Sequence, residues 1–342
     1  MAARRDLFPP ILLLALAACV LVAATLAWRV FAGDVRVDPL PPAGTESGRA
    51  ALLPLPPAPE LPAGKVALGE RLFFDKRLSA DDSLACAGCH DFARGGTDRL
   101  PVSAGVGGKT GPINAPTVFN AALNFVQFWD GRAASLEEQA AGPVHNPLEM
   151  ASSWEQVVAK LKSDAAYVAA FRQVYADRGI TGATIVDAIA TYERTLLTES
   201  RFDRFLRGER TALSPLERTG YQRFLDYGCA SCHQGALLGG NMFQRFGVMD
   251  DYFAGREIAA ADLGRFNVTD REEDRHVFKV PGLRNVAVTA PYFHDASAAS
   301  LEQAVVVMAR YQIGRDMPDE DVTAIVAFLR SLTGTWQGRE LQ

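Results

Sequence analysis

Cys86-Ala87-Gly88-Cys89-His90 and Cys229-Ala230-Ser231-Cys232-His233 are two copies of one pattern, in a chain whose only other cysteine is Cys19. Two thiols with two residues between them and a histidine directly after are the attachment pattern of c-type haem: the thiols bond the porphyrin vinyl groups and the histidine meets the iron. A zinc site has no need of a histidine after each second cysteine, and a thioredoxin-like pair expects a βαβ setting that is missing. Five cysteines in 342 residues are also too sparse for a disulfide framework. The pattern therefore predicts two covalently bound haems, with His90 and His233 as proximal ligands.

Outward from the motifs the apolar periodicity is helical. Val66, Leu68, Leu72 and Phe73 precede the first motif; Ile185, Ile189, Tyr192 and Leu196 mark a second face; Val322, Ile325, Val326, Leu329 and Leu332 mark a third, which starts after Pro318-Asp319 and ends at Gly334. Alternating strand patterns are scarce, so the expected class is mainly α. The chain also repeats itself: Pro116, Asn120, Ala122, Phe128, Asp130 and the run Ala133 to Glu137 return 165 residues later as Pro281, Asn285, Ala287, Phe293, Asp295 and the run Ala298 to Glu302. The two Cys motifs lie only 143 residues apart, so 165 minus 143 leaves 22 extra residues between the second motif and the second repeat. The expected organisation is two duplicated haem domains, 65–210 and 211–342, behind a Pro-rich spacer at 34–64. A second reading of Leu52 to Leu61 within that spacer is an irregular strand packed on a domain.

Arg4 and Arg5 precede an apolar run from Leu7 to Trp28, of which Ile11 to Trp28 is 18 uninterrupted residues, long enough to approach a bilayer span. An uncleaved membrane anchor within residues 1–33 is predicted, with everything after it on the periplasmic side. Leu16-Ala17-Ala18-Cys19 also reads as a lipoprotein box, and a cleaved signal peptide is a third reading. A net charge of -5 without a basic stripe excludes a nucleic-acid partner.

Each iron needs a sixth ligand or an open position. After the proximal pair, His145, His276 and His294 remain, with Met150, Met242, Met249, Met308 and Met317. Longer stretches then resemble the bacterial di-haem cytochrome c peroxidase family, which includes MauG-type enzymes, over residues 65 to 335. They are Leu68 to Asp75, Asn114 to Asn120, Gln127 to Ala133, Gly142-Pro143-Val144 leading to Glu149-Met150, and Leu283-Arg284-Asn285 leading to Thr289 through His294.

The resemblance implies two cytochrome c-like domains: a peroxidatic haem on His90, and an electron-transfer haem on His233 and Met308. It implies Glu149 as distal acid with Gln139 beside it, Trp129 as the aromatic between the haems, and calcium held by Asn114, Thr289 and Pro291. Hydrogen peroxide, a small donor such as a monohaem cytochrome c or a copper protein, and a homodimer are implied as partners. Read from the residues alone, Met308 is also a core residue, Glu149 a loop acid, Gln139 a helix-surface residue and Trp129 a core aromatic. One departure stands out: where many members carry a histidine that caps the peroxidatic iron, the stretch Ser103 to Gly108 places Val106. Two rival readings are a di-haem electron carrier and a MauG-like oxidase acting on a partner protein. The latter type uses a tyrosine at the Met308 position.

Replacing Cys86 and Cys89, or Cys229 and Cys232, with Ala is expected to remove one haem each time, read by intact mass spectrometry. Two haems retained after either change, or zinc bound instead, would overturn the assignment.

Overall fold

The computed structural model describes residues 51–342. The expected anchor, Cys19 and the first part of the Pro-rich segment lie outside them. Among the described residues no helix is long and apolar enough to cross a membrane.

The chain is mainly helical, and the three predicted apolar faces are all buried faces of helices or their exits. The helix Ala63–Phe73 buries Leu68, Leu72 and Phe73, and the helix Gly182–Glu193 buries Ile185, Ile189 and Tyr192. These two cross where a Cβ on Gly69 would strike the Ala188 carbonyl and come within 2.8 Å of the Tyr192 Cβ. Without a side chain at that point the backbones touch, and Phe73 then packs its ring 5.6 Å from that of Tyr192. The second half repeats the device. In the helix Pro215–Asp226, a Cβ on Gly220 would strike the Ala324 carbonyl of the helix Asp319–Arg330 and lie 2.9 Å from the Phe328 Cβ, with Phe224 and Phe328 rings 5.3 Å apart. Glycine and aromatic stand four residues apart in both copies, one helical turn along the same face.

The sequence repeat is a structural repeat down to single hydrogen bonds. Asn120 and Asn285 both take left-handed backbone, at φ 61° and 64°, as do Phe128 and Phe293 at 66° and 72°. The Nδ2 atoms of Asn120 and Asn285 both donate to Thr198 Oγ1, at 2.8 and 2.9 Å. Their Oδ1 atoms accept from the backbone N–H of Thr198 and Gly334, each at 2.9 Å. Ser135 and Ser300 cap the helices Leu136–His145 and Leu301–Met308 in the same way.

Two cores result. One runs from Leu68 to Leu196 and takes in Leu341; the other takes in Leu52 and runs from Phe202 to Leu332. Each core thus holds a residue from the far end of the chain. The changeover falls between Leu196 and Phe202, because Phe202 packs edge-to-face against Tyr221 and Phe328 of the second core. The Pro-rich segment is no free spacer over its described part. Leu52 and Leu55 are buried, Gly235 N–H donates to the Ala51 carbonyl at 2.7 Å, and Leu55 N–H donates to Asp203 Oδ1 at 2.7 Å. The carbonyls of Leu53 and Leu55 accept from Arg284 and Arg207. Prolines, which carry no N–H to satisfy, suit such a strap. The stretch between the second motif and the second repeat, which holds the extra residues, folds into a long hairpin, Phe243–Arg245 against Val277–Lys279, with a small aromatic cluster of Phe246, Tyr252, Phe253 and Phe278.

Gly69→Ala and Gly220→Ala are each expected to destabilise the haem-loaded protein by about 1–3 kcal/mol or more, since backbone must move apart. Gly111→Ala, which meets open space, should be near neutral. Denaturant midpoints check this, and equal midpoints for all three would remove the helix-crossing argument.

Candidate functional site

The cysteine pairs lie on single turns that aim the following histidine inward, with His90 N–H donating to the Cys86 carbonyl at 3.0 Å and His233 N–H to that of Cys229 at 2.9 Å. His90 Nδ1 then sits 3.2 Å from the Gly96 carbonyl, and His233 Nδ1 sits 3.2 Å from that of Leu238. A backbone acceptor on Nδ1 fixes that nitrogen as the N–H and leaves Nε2 with its lone pair free for a metal. Burial pushes both imidazoles down, toward the neutral form that can ligate.

A cavity of about 450 Å³ opens beside the second motif. Cys229, Cys232 and His233 line one side, and Met308 lines it too, at the end of its helix. Directly after Met308 the helix widens into a π turn, Ala309–Ile313. The volume lies in the range of small-molecule sites, and the walls are apolar. The aromatic cluster built by the inserted residues packs against Met308 and Trp129, so the insertion furnishes one wall. Two thiols for the vinyl groups, with an imidazole and a thioether for the iron, suit a c-type haem.

Around the first motif the surroundings differ. Met150 is packed in the core, and the group available there is the neighbouring Glu149. Its Oε1 accepts from Asn146 Nδ2 at 2.6 Å, yet burial outweighs that bond and pushes the carboxyl above its ordinary range. The loop carrying Val106 sits on the same backbone: Val106 N–H donates to the Glu149 carbonyl at 2.8 Å, and Gly105 packs against the Leu148 carbonyl. Val106 is half-buried, whereas Gly107 and Gly108 are exposed with left-handed φ. Gln139 is half-buried on the helix Leu136–His145 and makes no side-chain bond to Glu149. His145, at the end of that helix, is exposed and sets its ring edge-on to Trp154 at 5.2 Å.

Trp129 lines the cavity and its Nε1–H donates to the Asn114 carbonyl at 3.0 Å. Asn114 is buried, and its Nδ2 donates to the Leu100 carbonyl at 2.8 Å. Thr289 and Pro291 line the same cavity, and the Thr289 hydroxyl donates to the Val286 carbonyl. His294 lines the same cavity, and both it and His276 are engaged by Asp262. His294 Nε2 lies 2.8 Å from Asp262 Oδ1, and His276 Nδ1 lies 2.6 Å from the Asp262 carbonyl. Asp262 was not legible as a partner because its loop carries no periodicity.

The di-haem cytochrome c peroxidase family matches residues 63–211. Cytochrome c peroxidase Ccp of Escherichia coli (strain K12) is 53% identical over 288 residues, which is 83% of this chain and 62% of that protein's length. Cytochrome c551 peroxidase of Nitrosomonas europaea is 44% identical over 293 residues, 85% of this chain and 86% of that one. Among solved structures, a MauG-like protein associated with microbial copper homeostasis superposes with a TM-score of 0.72 at 28% identity, covering 86% of this chain and 94% of its own.

Proposed function

The chain belongs to the di-haem cytochrome c peroxidase family, and we propose that it reduces hydrogen peroxide to two molecules of water with two electrons and two protons. The observation that carries this reading is the inequality of the halves. His233 shares its cavity with a thioether, Met308, whereas the first half offers a desolvated carboxyl, Glu149, beside a valine. Bound haem would supply iron that exchanges single electrons and reacts with peroxide.

The chain's residues do the rest. Cys86 and Cys89, and Cys229 and Cys232, hold the two haems; His90 and His233 ligate through Nε2. Met308 gives the second iron a soft neutral ligand, which favours the reduced state and suits a centre that collects electrons. Glu149 takes a proton from peroxide and returns it to the departing oxygen, with Gln139 as a polar neighbour. Trp129, fixed by Asn114, lies between the centres as a relay. Asn114 Oδ1 and the carbonyl oxygens of Thr289 and Pro291 form a hard-oxygen set suited to calcium. The donor is a small periplasmic cytochrome or copper protein, the first segment tethers the protein to the inner membrane, and the protein works as a homodimer. Met308 favours the peroxidase over a MauG-like oxidase.

Glu149→Gln is expected to keep both haems and lose about 100-fold or more in peroxidase turnover. A raised carboxyl pKa predicts that wild-type turnover falls, as the solution is acidified, at a pH above the ordinary glutamate value of 4.5, and that this limb vanishes in the variant. Wild-type turnover with unchanged haem spectra would return Glu149 to the surface.

Val106 cannot ligate iron. The fully oxidised protein is therefore expected to show a high-spin ferric haem that binds cyanide or reacts with peroxide without prior reduction, and Val106→His should create a low-spin resting state that needs reduction first. Electron paramagnetic resonance decides it. Two low-spin haems, inert to peroxide until an electron is added, would assign another sixth ligand.

A further inference from the structure

Lys279 is an unusual side chain to find where it is. It ends the inserted hairpin's second strand, inside the apolar run Val277-Phe278-Lys279-Val280, and is only 7% exposed. Its backbone N–H donates to the Trp129 carbonyl at 2.8 Å, which fixes it next to the indole. The ammonium has one neutral partner, Asn124 Oδ1 at 3.1 Å, and makes no ion pair. Desolvation alone pulls its pKa down to about 8. A buried charge in a native fold is normally paired, because an unpaired one gives up its hydration for nothing.

The cavity that Lys279 lines explains the missing partner. No Asp or Glu is among its lining residues, and its other strong cation, Arg284, is already closed on Asp203 at 2.7 Å with both side chains fully buried. The protein therefore presents one unpaired positive charge, and no negative one, to the cavity that His233 and Met308 also line. A haem brings two carboxylates of its own. Resting on the di-haem reading above, we infer that Lys279 is the counter-ion of a propionate of the haem attached at Cys229 and Cys232, and so a residue that sets that haem's potential. The pairing completes a charge that the folded chain leaves open, and it holds the propionate beside the Trp129 backbone.

The test is spectroelectrochemical titration of the haem-loaded protein, with Lys279→Met, Lys279→Gln and Lys279→Arg beside wild type. Removing the cation leaves the propionate charge uncompensated and favours ferric iron. In the Met and Gln variants the ferrous-to-ferric ratio of the second haem at a fixed potential should fall about tenfold, a lowering of about 59 mV for a one-electron couple. The Arg variant, with its charge retained, should stay close to wild type, and the first haem should not shift. Intact mass spectrometry on the same samples separates the two claims: absence of covalent haem in wild type would defeat the di-haem reading itself. With both haems attached, an unchanged second potential in the Met and Gln variants, or a shift confined to the first haem, would overturn the role of Lys279.

Discussion

Two helices touching at a glycine hold each half of this protein together. Contact of the Gly69 position with the Ala188 backbone, and of Gly220 with that of Ala324, sets how close the first and last helices of each half can lie. A close crossing fixes the exit of the last helix, and the exits are where the halves meet. Leu196 and Leu332, both fully buried, give their carbonyls to Asn120 and Asn285. Those asparagines turn the chain in left-handed backbone and share one hydroxyl, that of Thr198. A shift of either helix pair would thus be felt at a single oxygen between the two repeats. Because these are buried polar groups, their bonds are costly to lose, so the arrangement specifies register as well as stability.

What could be read from the sequence is what local chemistry enforces. The Cys motifs, the helix faces and the repeat all depend on spacing, and spacing survives in one dimension. The repeat was legible because Asn120 and Asn285 must adopt positive φ and cap the same hydroxyl, a demand few residues meet. Packing between distant segments was not legible. Nothing in Leu52-Leu53-Pro54-Leu55 says that Asp203 and Arg284, remote in sequence, will close around it, or that Leu341 will return to the first core. Proline density pointed to extension, a backbone property, but could not choose between a spacer and a packed strand at Leu52 to Leu61, because packing depends on partners; the described part is packed. Burial at Lys279 was hidden for the same reason.

The strap also shows how a buried ion pair is made tolerable. Asp203 carries its charge out of water, but Oδ1 accepts from Leu55 N–H, while Oδ2 accepts from Ser200 and from Arg284. Arg284 in turn donates to the Ala236 and Leu53 carbonyls. Each side-chain nitrogen and oxygen of the pair that leaves water finds at least one partner, which is the condition under which such a pair ceases to be a liability. The pair therefore acts as a template: the Pro-rich strand lies where its N–H and carbonyl groups complete the bonding.

Duplication gives two equivalent sites, and a two-step redox reaction needs two unequal ones. The inserted residues account for the difference. They add the hairpin and the Phe246, Tyr252, Phe253 and Phe278 cluster on the second half alone, and that cluster packs on Met308 and Trp129. An apolar wall at a thioether lowers the local dielectric response and disfavours the more highly charged state of a metal held there. In the first half the Val106 loop, with two exposed glycines, lies instead on the backbone of Glu149. The shared framework of crossed helices thus carries two copies of one site, and one insertion together with one loop makes their surroundings unequal.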